Sequence, residues 1–184
     1  LPQTQTRFHG SYGTGVVFPS MFEQFGFIPG FFTPNPNLLP EASEGFDAGI
    51  EQTLLDGRVV VDVTYFEQNL TNEIFSTFFG PPVNLKGESE RKGVEVSATL
   101  RPTDTLDVVV TYTNLDATDS AGLAEVRRPE HAASLSANWR FNEGRGLLSA
   151  GVVYNGEMRD VGFDAFTFAQ RDVALDEYTV VNLG

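Results

Sequence analysis

The chain has 184 residues, which is the size of one ordinary domain, and 41% of them are hydrophobic, enough to form a core or an apolar surface. Its 12 basic and 25 acidic residues give a formal net charge of −13, which excludes the surplus of Lys and Arg that a nucleic-acid partner requires. The absence of cysteine excludes a disulfide framework, a thiolate metal site and a cysteine nucleophile, and no apolar run of about 18 residues predicts a transmembrane helix.

Alternation of apolar and polar residues, the period of a β-strand, recurs along the whole chain, whereas helical periodicity is hard to find. In the stretch "RVVVDVTYFEQ", Val59, Val61 and Val63 fall on one face, and Asp62 and Thr64 fall on the other. The same pattern predicts about eight strands, which form an antiparallel meander. In chain order they are Gln3–Thr14, Ser43–Leu54, Arg58–Gln68, Glu90–Arg101, Leu106–Leu115, Glu130–Phe141, Gly146–Met158 and Glu177–Gly184.

The predicted connections alternate between short and long. The short ones contain Gly, Pro, Asn or Asp and are Leu55–Gly57, Pro102–Thr105 and Asn142–Arg145. The long ones are Gly15–Ala42, Asn69–Ser89, Ala117–Pro129 and Arg159–Asp176. Short turns at one end and long loops at the other are typical of outer-membrane β-barrels.

Residue types along the strands favour the same class of fold, an all-β, antiparallel, up-and-down transmembrane β-barrel segment. Aromatic residues lie toward the predicted strand ends, where interfacial girdles occur, and the midsections carry Val, Ala and Leu. These aromatic residues are Tyr65, Phe66, Tyr112, Trp139, Phe141 and Tyr154. The opposite face holds hydroxyl, amide and charged side chains, as the wall of a wet lumen does. The alternative is a self-contained small barrel, in the outer membrane or soluble, which would close by pairing Gln3–Thr14 with Glu177–Gly184.

Five stretches of the chain resemble, in order, segments of the C-terminal half of the barrel of TonB-dependent receptors. They are "SYGTGVVFPSMFEQFG", with Tyr12, Gly15, Pro19 and Glu23; "NPNLLPEASEGFDAGIEQ", with Asn35, Pro36, Leu38, Pro40, Glu41, Ser43 and Gly49; "ERKGVEVSATLRP", with Gly93 and Glu95; "RRPEHAASLSANWRF", with Arg128, Pro129 and His131; and "YNGEMRD", with Tyr154, Gly156, Arg159 and Asp160. Asp47 stands where this family usually has Glu.

The resemblance implies a part of an outer-membrane active transporter that imports a scarce nutrient, with cobalamin and siderophore receptors as the nearest members. Such barrels have about 22 strands, and the eight predicted ones would be roughly the thirteenth to the twentieth. The plug domain, TonB box, signal peptide and last strands are expected to lie outside residues 1–184. Expected partners are outer-membrane lipid, the TonB–ExbB–ExbD system acting through the plug, and a siderophore or cobalamin-like ligand. The long loops would be extracellular and the short turns periplasmic, in a Gram-negative bacterium.

Candidate site residues lie in the long connections, and no constellation predicts an enzyme, because His9 and His131 stand on different predicted strands without metal-ligand spacing. Acidic residues there could hold Ca²⁺ through hard oxygen ligands, or simply form a solvated surface. The candidates are Asp116, Asp119, Asp160 and Asp164. Aromatic residues could contact a hydrophobic ligand, or pack the loops on one another. These are Phe22, Phe25, Phe31, Phe78 and Phe79.

Overall fold

A computed structural model describes residues 4–26, 33–76, 80–167 and 169–184. The strands are β1 (Thr6–Val17), β2 (Glu41–Leu54), β3 (Val59–Thr71), β4 (Ile74–Phe75), β5 (Val83–Asn84), β6 (Glu88–Thr103), β7 (Leu106–Thr118), β8 (His131–Phe141), β9 (Gly146–Asn155), β10 (Met158–Phe163), β11 (Gln170–Leu175) and β12 (Tyr178–Leu183). One short helix, α1 (Met21–Phe25), follows β1, and a single 3₁₀ turn spans Leu55–Gly57. Among the described residues, no helix has the length and hydropathy needed to cross a membrane.

One antiparallel sheet of eight strands contains all of the predicted strands, in the order β1-β2-β3-β6-β7-β8-β9-β12. The boundaries agree to within a few residues, except that β9 ends at Asn155 and Met158 begins the separate strand β10. Within the described part of the chain, the order starts at β1 and ends at β12, and no ladder joins these two strands. The sheet is therefore open, and the closed small barrel is not the arrangement that these residues adopt.

The register of the ladders sorts the side chains onto two chemically different faces. Ile50 pairs with Val63 and Val63 with Val96, whereas one residue away Gly49 pairs with Thr64 and Thr64 with Glu95. The apolar face includes Phe8, Phe46, Ala48, Ile50, Val61, Val63, Val96, Ala98, Val108, Val110, Leu135 and Val152. The polar face includes Arg7, His9, Ser11, Asp47, Glu51, Asp62, Thr64, Glu95, Ser97, Thr111, Thr113 and Ser134. The predicted alternation is thus confirmed for the strands from β1 to β9.

The prediction that Phe66 belongs to an aromatic girdle is wrong. Phe66 pairs with Asp47 on one side and Gly93 on the other, so its side chain lies on the polar face. Its ring covers Gly93: a Cβ added there would come within 3.0 Å of Phe66 Cζ. Phe66 does lie beside Tyr65 along the strand, but as its immediate neighbour it faces the opposite side of the sheet.

Among the described residues, those that are buried lie in the long loops or in the half of the sheet next to them. Leu38 is 5% exposed and Ser89 is 1% exposed, and Pro82 is also fully buried. The apolar face of the sheet instead exposes large apolar side chains, among them Phe8, Ile50 and Val63. The sheet is a single layer without a core of its own, so that its apolar face needs another apolar phase to cover it.

The two ends of the sheet differ as predicted. The three tight turns lie at one end, and the turn after β8 uses Asn142, Glu143 and Gly144 in left-handed conformations, with φ of 51°, 57° and 83°. The other end carries four long connections, named here loop 1 (18–40), loop 2 (72–87), loop 3 (119–130) and loop 4 (156–177). Loop 2 contains the small hairpin β4–β5 and loop 4 the hairpin β10–β11, neither of which the sequence pattern predicted.

Candidate functional site on the polar face and in the long loops

Polar side chains on neighbouring strands pair with one another across the polar face. Arg7 on β1 forms a two-pronged ion pair with Glu51 on β2, with Nη2 to Oε2 at 2.8 Å and Nε to Oε1 at 3.1 Å. Ser11 Oγ donates to the carboxylate of Asp47, so the shorter acid at this family-motif position is held by the adjacent strand. The charged side chains in these pairs thus have hydrogen-bond partners on the neighbouring strand.

His9 reaches across a whole strand to contact Asp62. Its Nε2 lies 2.8 Å from Asp62 Oδ2, although His9 is on β1 and Asp62 is on β3. The contact passes over Gly49 on the intervening strand, where an added Cβ would lie 2.4 Å from the imidazole and 2.5 Å from Thr64 Oγ1. Glycine is the residue that leaves this space open. Thr64 Oγ1 donates to the other oxygen of Asp62, at 2.8 Å.

A hollow of about 260 Å³ adjoins Asp62 on the same face. Its lining is Asp62, Thr64, Glu95, Val96, Ser97, Thr111, Tyr112 and Thr113. Beyond it, Thr111 Oγ1 and Ser134 Oγ are 2.7 Å apart. Hydroxyl and carboxylate groups in this arrangement can bind water, a polar ligand or a polar protein surface, and the described residues assemble no nucleophile with an oriented base.

The stretch "NPNLLPE" fastens loop 1 to loop 2. The side-chain amide of Asn84 accepts a hydrogen bond from Leu39 N (2.8 Å) and donates to Leu39 O (2.9 Å), as a neighbouring strand would. The same amide nitrogen donates to Asn72 O at 2.7 Å. Asn35 Nδ2 donates to Pro82 O at 2.9 Å. Leu38, which lies between Asn35 and Leu39 in the sequence, is buried.

Glu41 and Glu73 complete this fastening at the point where the loops meet the sheet. Ile74 N donates to Glu41 Oε1 at 2.6 Å, which ties the first residue of β2 to the hairpin of loop 2. Ser89 Oγ donates to the carboxylate of Glu73, and Ser89 is buried. Hydrogen bonds of these kinds, several of them partly buried, hold the two loops as one unit.

Ion pairs, by contrast, join loop 3 to loop 4 and to β6. Arg127 Nε lies 3.0 Å from Asp160 Oδ1, and Arg127 N donates to Arg159 O at 2.7 Å. Arg159 pairs with Asp172 across the β10–β11 hairpin, with Nη2 to Oδ1 at 2.7 Å. A hydrogen bond from Val161 N and the neighbouring Arg127 guanidinium hold the pKa of Asp160 below its ordinary value. Acidic groups in this region therefore act as partners for arginine.

Arg91 and Arg128 share one carboxylate in the same region. Arg91 Nε lies 2.9 Å from Glu125 Oε1 and 3.1 Å from Oε2, and Arg128 Nε lies 3.4 Å from Oε2. Glu125 is only 11% exposed, so this acid joins β6 to loop 3 from a largely enclosed position.

The four acidic residues proposed as cation ligands are not brought together. Asp119 accepts from the amides of Ala121 and Leu123, and Asp164 accepts from those of Phe166 and Thr167, so each stabilises its own turn. Asp160 pairs with Arg127, and Asp116 lies opposite Lys92 on the β6–β7 ladder. In the described part of the chain, no three His, Asp or Glu side chains form a group able to hold a metal ion.

The aromatic ligand candidates are only partly within the described structure. Phe22 and Phe25 belong to α1, where Phe22 is half-buried and Phe25 is exposed. Phe31, Phe78 and Phe79 lie outside the described residues. The proposed contact of these side chains with a hydrophobic ligand stays a prediction.

The remaining family-motif residues serve local geometry. Glu23 forms a capping box with Ser20 at the start of α1, and Gly156 N donates to His131 O at 2.8 Å. Tyr12 and Tyr154 lie on the apolar face and Glu95 on the polar face, by their ladder partners. Gly15 pairs with Ser43 on the β1–β2 ladder. Pro19, Pro36, Pro40 and Pro129 lie in the long loops.

The comparisons with known proteins agree with this architecture. A family model described as "TonB dependent receptor-like, beta-barrel" matches residues 1–184. The chain belongs to this family. Its family and structural relatives are receptors and transporters rather than enzymes, and the family together with the barrel-type sheet implies the outer membrane as its location.

Individual relatives are much longer than this receptor segment. The metal-pseudopaline receptor CntO of Pseudomonas aeruginosa is 28% identical over 159 residues, which are 78% of this chain and 21% of the relative. The ferripyoverdine receptor of the same species has a TM-score of 0.74 at 18% identity, over 97% of this chain and 24% of its own. The ferric-catecholate import receptor Fiu of E. coli has a TM-score of 0.70 at 20% identity, over 97% and 26%. The chain spans about a fifth to a quarter of the length of these proteins.

Several residues of the candidate site were missed by the sequence analysis. Asn84 contacts Leu39, Glu125 contacts Arg91 and Asp172 contacts Arg159, which are 45, 34 and 13 positions away, and such pairings leave no local pattern. One local signal was available: Ser20 followed three residues later by Glu23 is a capping box, which predicts the start of α1.

Proposed function

We propose that residues 1–184 are a partial barrel domain of a TonB-dependent outer-membrane transporter that imports a metal chelate of the siderophore type. The observation that carries this proposal is the family match over the entire chain. The substrate class draws its support from relatives named for metal-pseudopaline, ferripyoverdine and ferric catecholates. The polar face fits a water-filled lumen, and the apolar face fits lipid.

In this proposal, the rest of the parent protein supplies the plug and the box that TonB pulls on, with ExbB and ExbD as the energy-coupling partners. The long loops are extracellular and the short turns periplasmic. Support for that orientation comes from the clear sorting of connections by length, because outer-membrane barrels have short periplasmic turns and longer extracellular loops. The loop 1–loop 2 unit and the loop 3–loop 4 unit then form part of the outer vestibule.

Uptake by the full-length receptor tests the proposal. The receptor is produced in a Gram-negative strain that lacks its other chelate receptors, and uptake of radioactive iron–siderophore complexes and of radioactive cobalamin is measured with and without the tonB gene. TonB-dependent uptake of at least one iron chelate, and none of cobalamin, is the expected result. Uptake of cobalamin alone would replace the substrate class, and equal uptake without TonB would overturn the transport mechanism.

A further inference from the structure

The hairpin β10–β11 in loop 4 continues the β9–β12 hairpin of the sheet across a short gap. Below the gap, the last pair of the ladder is Asn155 with Tyr178, and above it the first pair is Met158 with Leu175. Both pairs fit one register, because three residues up one strand correspond to three residues back along the other. The two halves therefore form one long hairpin, in which residues 156–157 and the opposite residues 176–177 belong to no strand.

The gap lies at the same height on both strands, and this is the geometry of a hinge. Hydrogen bonds between paired strands resist bending of a hairpin, and here they are interrupted along one line across it. The distal half, β10–β11, is a two-stranded sheet of its own and is not part of the eight-stranded sheet. A few residues between rigid bodies, able to absorb changes in φ and ψ, are what a hinge requires.

The lower side of the gap is fixed to the sheet. Gly156 N donates to His131 O at 2.8 Å, and a Cβ added to Gly156 would come within 3.0 Å of the same oxygen. Across the hairpin, the Tyr154 hydroxyl donates to Glu177 at 2.5 Å. Bending is therefore expected above Gly156, because movement below it would have to disturb the sheet.

Loop 3 makes all the polar contacts that the described structure shows between β10–β11 and the rest of the chain. Arg127 Nε lies 3.0 Å from Asp160 Oδ1, and Arg127 N donates to Arg159 O at 2.7 Å. Arg159 Nη1 donates to Ala124 O at 2.9 Å. Because neighbouring residues of a strand face opposite sides, the side chains of Arg159 and Asp160 fasten both sides of the hairpin. These contacts, named here the latch, hold the distal half against loop 3.

The latch is weaker than the hairpin that it holds. Arg127 is 71% exposed, and exposed ion pairs contribute little to stability and are screened by salt. The hairpin itself has six ladder pairs, and Asp164 N donates to Ala169 O at 2.9 Å beyond them. Release of the latch should therefore leave the ladder of β10–β11 intact.

We propose that β10–β11 is a rigid flap, which swings about the gap at residues 156–157 and 176–177 when its latch to loop 3 releases. The movement would widen or narrow the outer mouth of the receptor, and only this location of the flap rests on the outer-membrane function proposed above. Phe163 and Phe166, near the tip of the flap, are 60% and 92% exposed. They lie farthest from the gap, so they are the side chains that a closing flap would carry farthest.

Hydrogen exchange at pH 7 in the full-length receptor, folded into lipid vesicles, tests the flap, because four backbone amides report on four different events. They belong to Arg127 (release of the latch), Asp164 (opening of the hairpin), Gly156 (movement below the gap) and Glu125 (movement of loop 3 away from β7). Asp160→Asn keeps the size of the side chain and removes the charge opposite Arg127. In this variant the Arg127 amide is expected to exchange about two to five times faster, and the other three amides are expected to keep their native rates.

Arg128→Gln is the matched control variant. Arg128 is next to Arg127 in loop 3, but it pairs with Glu125 at 3.4 Å and not with the hairpin. This variant should leave the Arg127 amide unchanged. An unchanged Arg127 rate in Asp160→Asn would overturn the latch. Faster exchange of Asp164 would show that the hairpin unfolds, and faster exchange of Glu125 would show that loop 3 moves instead; either result would overturn the flap.

Distances between spin labels test the swing itself, because residues 1–184 contain no cysteine of their own. Val83→Cys in loop 2 is the reference, paired with Gln170→Cys above the gap or with Thr179→Cys below it. In Asp160→Asn at 1 M salt, where screening acts within about 3 Å, the Gln170 distance is expected to gain a second value and the Thr179 distance to keep one. A single unchanged distance at both sites would overturn the swing. Absence of chelate uptake with these distances as expected would refute only the proposed substrate.

Discussion

At the scale of single residues, Gly49 is the position on which the polar face depends most directly. Gly49→Ala introduces a methyl group within 2.5 Å of both the His9 imidazole and Thr64 Oγ1. Because the imidazole is the free end of its side chain, we expect it to swing away from Asp62 rather than distort the strands. Losing this partly exposed contact should lower the free energy of unfolding by roughly 1–2 kcal/mol.

Urea unfolding of the full-length receptor folded into lipid vesicles measures this loss. Gly13→Ala is the matched control, since Gly13 also lies on the polar face of the β1–β2 pair and has no atom within 4 Å of an added Cβ. If the two alanine variants were equally stable, the His9–Asp62 contact would contribute nothing.

Sequence pattern predicts the face of a residue far better than its partner. The alternation of Val61 with Asp62 predicted both faces of β3 correctly. The contact between His9 and Asp62 could not be predicted from the sequence. It depends on the space that Gly49 leaves open on β2, the strand that lies between them. Phe66 failed for a related reason: an aromatic ring on the wet face is accommodated by Gly93, and single-strand periodicity does not contain that information.

At the scale of elements, the two pairs of loops are held by different chemistry. Asn84 joins loop 2 to loop 1 through two hydrogen bonds with Leu39 and donates a third to Asn72 O within loop 2, so we expect Asn84→Ala to release Leu39 and Asn72 together. Hydrogen exchange of the Leu39 amide in the full-length receptor should accelerate by about tenfold, which corresponds to about 1.4 kcal/mol of local stability.

Asn84→Asp provides the graded comparison for this prediction. It keeps an oxygen to accept from Leu39 N but loses the amide donor to Leu39 O and Asn72 O. Its exchange rate should lie between those of the native protein and Asn84→Ala. An unchanged Leu39 rate in Asn84→Ala would show that the loops stay joined without this side chain.

Loops 3 and 4 should instead respond to acid. The folded protein holds the pKa of Asp160 below its ordinary value through Val161 N and Arg127, and a lowered pKa means that the ionised form is favoured by folding. The resulting stabilisation is complete above the ordinary aspartate pKa of about 3.9 and is lost as the pH falls through the lower folded value. Protection of the Val161 amide, corrected for intrinsic exchange, should therefore be constant from about pH 7 to pH 5 and decline below about pH 4.

Asp160→Asn is the matched variant for the acid response. The amide keeps an oxygen that can accept from Val161 N but removes the charge opposite Arg127. We expect weaker protection at neutral pH and little change on acidification. A native-like decline in this variant would assign the acid response to another group, such as Asp164, whose pKa is lowered by the amides of Thr167 and Phe166.

Element prediction succeeded for the long strands and failed inside the long loops. Strands of ten or more residues such as β6 and β7 display their period many times, whereas α1 has five residues and β4 has two. The hairpin β10–β11 is held partly by Arg159 and Asp172, whose pairing across the hairpin is invisible to a local pattern. Loop length could be predicted, but the structure within the loops could not.

At the scale of the whole molecule, no other element of the described structure packs against the single-layer sheet. Its stability therefore depends on the surroundings of each of its two faces. Val110 and Thr111 are neighbours in β7, yet Val110 pairs with Ala98 and Leu135, and Thr111 with Ser97 and Ser134. We expect Val110→Arg to cost roughly 2–4 kcal/mol in a bilayer and Thr111→Arg to cost much less, because only the first puts a charge into lipid. Unfolding of the full-length receptor from vesicles measures both, and equal costs would contradict the assignment of the faces.

The family motifs allowed the architecture as a whole to be predicted from residues such as Asn35, Pro36 and Gly49, and the match over the entire chain bears this out. What the motifs did not reveal is their physical purpose. Asn35 and Glu41 fasten one loop to the next, and Gly49 is a space for a side chain from another strand. These purposes depend on distant parts of the chain, so they became evident only from the fold.

The tight turns lie progressively farther from the long loops, by about one residue per strand. Val59 pairs with Leu100 while the β6–β7 ladder closes at Thr103 and Leu106, and Leu106 pairs with Trp139 while the β8–β9 ladder closes at Phe141 and Gly146. One residue per strand, at about 3.3 Å rise and 4.8 Å spacing, corresponds to a strand tilt of about 35° and determines how the wall would close. In a barrel, this descent is the shear contributed by each strand, so a complete ring built like this segment would have a shear close to its strand number. With a tilt of about 35°, each strand occupies about 6 Å of circumference, and the eight strands here form an arc of about 47 Å. Adding or removing one hairpin would change the girth of such a ring by about 12 Å while leaving the slope of its strands unchanged. Pore width and membrane fit are thus separately adjustable in this wall.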